Sequence, residues 1–163
     1  MTLAHAWANA GKTFTNAYGP SETAVCSHLK ELTTKSTRVT LGKPLDNVRA
    51  YVMDSRMRPV PPGVPGELVI GGVGVARGYH NRPGLTKSRF LQDAYRVHLP
   101  SNVKGTKLYR TGDLARWLFD GEVEFLGRVD FQVRACPDIH PIPNSHRSCC
   151  PTLAAKPTLH LSS

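Results

Sequence analysis

The sequence predicts a mixed α/β fold in which short strands outnumber helices. Three observations carry that prediction. The 163 residues include 14 glycines and 13 prolines, a turn-rich composition that leaves little room for long helices. Two segments near the middle, "NVRAYVMD" and "ELVIGG", read as strands, the first from its alternation of Val48, Ala50 and Val52 against Arg49, Tyr51 and Met53. Farther on, "LARWLF" and "EVEFLGR" flank Asp120-Gly121, a dipeptide suited to the positive φ angles of a hairpin turn.

Taken in order, residues 3–12 read as the end of a helix with Leu3, Trp7 and Ala10 on one face. A short run then enters the turn "NAYGPSE", where Pro20 sets φ near about −65° and Gly19 tolerates angles other residues avoid. Tyr18 and Glu22 are thereby held on a stiff loop. An aromatic face beside an acid suits a nucleotide, the ring against the base and the carboxylate toward phosphate-bound Mg²⁺; an ordinary surface turn is the competing reading. A polar connection runs to Leu41, and the "VPPGVPG" turn separates the two middle strands. "RPGLTKSRFL" has Pro83 early and Leu85, Arg89 and Phe90 at helical spacing, which predicts a short helix. "KLYRTGD" opens the β-rich stretch that continues to about Val133. From Cys136 no period is sustained and bulky apolar residues are scarce, so residues 135–163 are expected to be a disordered tail.

Composition narrows the function classes. The formal charge of +9 comes from Lys and Arg scattered singly, so no nucleic-acid partner is expected. No run approaches the roughly 18 apolar residues of a membrane span, and a cytoplasmic location is the default. Cys26, Cys136, Cys149 and Cys150 include no CxxC and make no disulfide framework. The tail's cysteines with His140 and His146 match no standard zinc spacing. "AWANAGKT" fits a relaxed phosphate-loop pattern but lacks a preceding strand, and "GGVGVARG" has the wrong glycine spacing for a dinucleotide fingerprint.

One constellation remains: "NAYGPSE", "GELVIGGVGVARGYHNRP", "YRTGD" and "GRVDFQVR", in that order. Together they resemble the adenylate-forming enzyme superfamily, most closely the adenylation domains of nonribosomal peptide synthetases. The resemblance implies that residues 1–134 are the C-terminal part of that family's large subdomain, including its distorted β-barrel portion, up to a hinge at Asp130. It implies ATP or AMP with Mg²⁺ as cofactors. An amino acid or other carboxylate would be the substrate, and a carrier domain bearing phosphopantetheine the partner. Tyr18 is similar to the ring that stacks on adenine, Asn16 to the residue at the adenine edge, and Gly19 and Ser21 to the phosphate-side loop, with Ser21 in place of the usual threonine. Glu22 matches the Mg²⁺-linked acid. Asp113 matches the acid that takes the ribose hydroxyls, Arg128 the arginine that contacts ribose and phosphate, and Phe125 the residue flanking the sugar. Ala17, Val25 and Cys26 match positions lining the amino-acid pocket, and the glycine-rich motif and Arg77 carry no assigned chemistry.

The same resemblance expects a phosphate loop ending in lysine upstream and a second lysine after the hinge. Neither is found in this chain, so it is expected to be a fragment that does not complete adenylation alone. A fragment of an acyl- or aryl-CoA ligase, and a non-catalytic relic or weak nucleotide-binding module, are the other readings.

Overall fold

A computed structural model describes residues 2–95, 105 and 107–129, all within the unit Met1–Gln132. Helix α1 (Thr2–Asn9) leads into β1 (Phe14–Tyr18), a short 3₁₀ turn (Ser21–Thr23), β2 (His28–Leu32) and β3 (Lys43–Pro44). These three strands form an antiparallel sheet in the order β1-β2-β3. Then come β4 (Val48–Met53), β5 (Gly66–Gly72), helix α2 (Pro83–Arg89), β6 (Phe90–Gln92), β7 (Lys107–Trp117) and β8 (Val123–Arg128). They build a second antiparallel sheet, β4-β5-β7-β6, with β8 also on β7. At Tyr109, β7 pairs with β5 on one edge and β6 on the other; at Ala115 its partners are β5 and β8.

The strands at β4, β5 and β8, the helix at Pro83 and the hairpin at Asp120-Gly121 all form where the sequence predicts them. Pro83 suits the start of α2 because its missing N–H would have no intrahelical partner. Three segments differ. The Tyr18 segment is a strand, not a turn: "FTNAY" pairs along its whole length with "HLKEL", and that ladder holds Tyr18. "KLYRTGD" and "LARW" are one continuous strand, bent at Gly112, where φ is +73°. Phe90 belongs to β6 and not to α2, and its ring packs edge-on against Tyr79.

The core occupies both faces of β5. On one face Leu68 and Ile70 pack with Tyr18, Leu41, Ala115 and Val123; on the other Val69 packs with Met53 and Leu108. Two-sided burial explains why "ELVIGG" reads as a nearly continuous apolar run. The sheets join at Gly42, whose carbonyl accepts from Val123 N–H at 3.0 Å while Leu41 N–H donates to the Val123 carbonyl at 2.8 Å. Above that seam Lys30 pairs with Glu122, and the Thr40 hydroxyl donates to the same carboxylate at 2.6 Å. The expected helix face at Trp7 is not a buried one: Trp7 is exposed and touches Phe14 edge-on.

Candidate nucleotide site

Where β1 ends, its last side chain crosses to the second sheet. The Tyr18 hydroxyl donates a short hydrogen bond to Asp113 Oδ2, joining residues 95 apart in sequence. Asp113 sits one residue past the Gly112 bend, and its carboxylate is almost fully buried. A buried carboxylate is costly unless paired. Arg128, directly opposite on β8, supplies the pair through Nη1 to Oδ1 at 2.8 Å. The bend is braced by the Thr111 hydroxyl, which accepts from Asp113 N–H at 3.0 Å and donates to the Leu68 carbonyl at 2.7 Å. Each carboxylate oxygen of Asp113 keeps a second lone pair beyond its contact with Tyr18 or Arg128.

Past Tyr18 the loop is tight because Gly19 lets the chain fold on itself. A Cβ there would lie 2.4 Å from the Val25 carbonyl oxygen. Ser21 is exposed at the start of the 3₁₀ turn, and Glu22 is half-buried beside it. The Glu22 carboxylate accepts from the Tyr79 hydroxyl at 2.6 Å, and Tyr79 in turn lies 3.2 Å from the Tyr109 hydroxyl. Burial raises the Glu22 pKa, but the tyrosine hydrogen bonds and the charge of Arg89 outweigh it and hold the group below the ordinary carboxylate value. The same burial, and the adjacent acid, push the Tyr79 and Tyr109 phenols up, so both remain donors. One ionised carboxylate is the donor set expected for Mg²⁺ held mainly by a nucleotide's phosphates and water. Glu22 fits that role.

The sequence-derived residues do not all converge. Tyr18, Asp113 and Arg128 form one bonded set, and Glu22 forms a second that reaches the same strand, β7, through Tyr109. Asn16 lies two residues from Tyr18 on β1, and its Nδ2 donates to the Thr40 carbonyl at 2.7 Å. Phe125 is exposed on β8 opposite Ala115. Ala17 and Val25 are exposed, and the half-buried Cys26 thiol approaches the His28 carbonyl at 3.6 Å. Ala24 and Val25 both have left-handed backbones, φ 61° and 70°, an uncommon conformation for a β-branched residue. Asp130 and the tail cysteines and histidines lie outside the described residues.

Sequence reasoning missed three neighbours. Tyr79 and Tyr109 stand inside the quoted motifs, and Tyr109 precedes Asp113 by four residues, a spacing that in a strand signals a shared face. His28, cross-strand from Tyr18, is fully buried with its ring 5.8 Å from that of Tyr18 and Nδ1 2.9 Å from the Ser27 hydroxyl. Its Nε2 has no partner among the described residues, and burial lowers its pKa to about 4.

Comparison with known proteins identifies the setting. A family model described as AMP-binding enzyme matches residues 1–80. Bacitracin synthase 2 of Bacillus licheniformis is 51% identical over 122 residues, covering 73% of this chain and 4% of the synthase. This chain is similar to the AMP-binding enzyme family. Tyrocidine synthase 1 of Brevibacillus parabrevis is 46% identical over 74% of the chain, which corresponds to 11% of that protein. A solved structure of PA1221, an NRPS protein containing adenylation and PCP domains, superposes with a TM-score of 0.63 at 29% identity, over 76% of this chain and 24% of that one. The chain is therefore a mixed, sheet-rich α/β piece of an adenylation domain, and it spans a small part of each of these relatives.

Proposed function

We propose that residues 1–134 form the nucleotide-recognition part of an amino-acid adenylation domain of a nonribosomal peptide synthetase, and that residues 135–163 are not part of that domain. In the whole enzyme the amino acid's carboxylate oxygen would attack the α-phosphorus of ATP with loss of pyrophosphate. The aminoacyl group would then pass to a carrier's phosphopantetheine thiol. The observation that carries this reading is the buried Asp113 carboxylate, held by Tyr18 and Arg128 from three strands that meet only in the folded chain.

On this reading Asp113 accepts the ribose hydroxyls through its remaining lone pairs. Arg128 holds that carboxylate in place while presenting positive charge to the ribose and phosphate side. Tyr18 and Asn16 border the adenine, and Phe125 covers the sugar. Ser21 and the Gly19 turn face the phosphate, and Ala17, Val25 and Cys26 lie on the side of the amino acid. Mg²⁺, when bound through Glu22, would draw charge from the phosphates. The peptide synthetase names of the similar chains favour an amino-acid substrate over an acyl- or aryl-CoA ligase.

Calorimetric titration of the 163-residue chain with a non-hydrolysable aminoacyl-adenylate analogue tests the proposal. Saturable binding that is lost in Asp113→Ala is the expected result. A chain that shows native near-UV ellipticity and takes up no analogue would overturn it.

A further inference from the structure

The nucleotide-site residues make two bridges between the sheets, and both end on β7. One runs from Tyr18 to Asp113. The other runs from Glu22 through the Tyr79 hydroxyl to Tyr109, four residues before Asp113 on the same strand. Tyr109 pairs with Ile70 and Asp113 contacts Tyr18, and Ile70 and Tyr18 belong to one cluster, so both side chains lie on one face of the sheet. Tyr79 is fixed independently of Glu22: its ring packs on Phe90, and its backbone N–H donates to the Thr86 hydroxyl at 2.9 Å. The segment of Tyr79 is tied to the Glu22 turn a second time by Ala76 N–H, which donates to the Glu22 carbonyl at 2.8 Å.

We infer that Tyr79, backed by Tyr109, is a positioning residue that aims the Glu22 carboxylate at the divalent cation of a bound nucleotide and sets its distance from the ribose acid Asp113. The inference rests on the nucleotide-site reading above and deepens it. Without the hydroxyl, the Glu22 side chain regains its rotamers, and the carboxylate must be ordered when the cation binds. The glycine-rich motif, which carries no side chain for the chemistry in the sequence analysis, thereby contributes one residue that acts through Glu22. Tyr109 does the same for the motif that carries Asp113, so the strand that binds ribose also registers the metal ligand.

The test compares three affinities in the full chain, all by calorimetry: AMP without divalent cation, ATP with Mg²⁺ and ATP without it. In Tyr79→Phe the ring packing on Phe90 is retained. AMP affinity should stay within about twofold of the parent, while the Mg²⁺-dependent gain in ATP affinity falls about ten- to a hundredfold, the range for loss of a group that orients a metal ligand. Tyr109→Phe should lower the same gain more modestly. In the Glu22→Gln background Tyr79→Phe should cause no further loss, because it acts through that carboxylate. A Tyr79→Phe chain with an unchanged Mg²⁺ gain, or a further loss in the Glu22→Gln background, would overturn the inference while leaving the nucleotide site standing. Failure of the parent chain to bind AMP would instead remove the reading beneath it, and the inference with it.

Discussion

Asp113 is the residue on which the site turns, and its two partners can be separated by experiment. Tyr18→Phe keeps the ring and deletes only the hydroxyl donated to a buried carboxylate. The loss of a hydrogen bond to a charged group should cost about 1.5–3 kcal/mol of stability, read as a lower urea midpoint at unchanged slope. Arg128→Met leaves the carboxylate with no opposite charge from β8 and should cost more, about 3 kcal/mol or above, by the same measurement. Both residues stand out as candidates in the sequence through the family resemblance of "NAYGPSE", "YRTGD" and "GRVD". That the tyrosine hydroxyl and the aspartate bond to each other is not legible. The partners are 95 residues apart, and nothing local to either motif encodes the contact.

At the scale of elements, the seam between the sheets depends on a glycine. Gly42 has φ +83°, and a Cβ on it would lie 2.0 Å from the Leu29 carbonyl oxygen. Gly42→Ala should therefore destabilise the chain by about 3 kcal/mol or abolish cooperative unfolding, whereas Gly63→Ala, in open space at φ +88°, should cost only about 1 kcal/mol. Thermal melts of the two variants side by side separate backbone strain from crowding. The elements that follow a plain period, β4, β5, α2 and the β7–β8 hairpin, are readable from the sequence. β2 is not, because its buried face begins with His28 while Leu29 is exposed, an inversion of the usual pattern. The continuity of β7 is hidden by Gly112, which looks like a break and is a bend within one strand.

For the molecule as a whole, acid should weaken the fold in two stages. Burial holds His28 neutral to about pH 4, while the unfolded chain takes up that proton near the ordinary value of 6.5. The unfolded state therefore binds more protons between those values, and stability falls as pH drops from 6.5 towards 4, by about 3 kcal/mol. Glu122 opposes its own burial through Lys30 and Thr40 and sits below its ordinary value of 4.5, so its contribution is present above that pH and is lost on further acidification. Chemical denaturation at pH 7, 5.5 and 4.5 checks the first stage, and His28→Gln should flatten it. The family and the adenylation-domain architecture are legible from four ordered motifs, and the comparisons bear them out. The internal bracing by Tyr79, Tyr109 and His28 depends on which sheet faces cover one another, which motif order does not specify.

The most direct measurement is an amide chemical-shift titration of the isotopically labelled chain with AMP. The expected result is a saturable set of shifts confined to residues 16–22, 109–115 and 125–128, collapsing when Asp113 is replaced by alanine. A well-dispersed spectrum that AMP leaves unchanged, or shifts that fall elsewhere and survive Asp113→Ala, would contradict the assignment of this cluster as the nucleotide site.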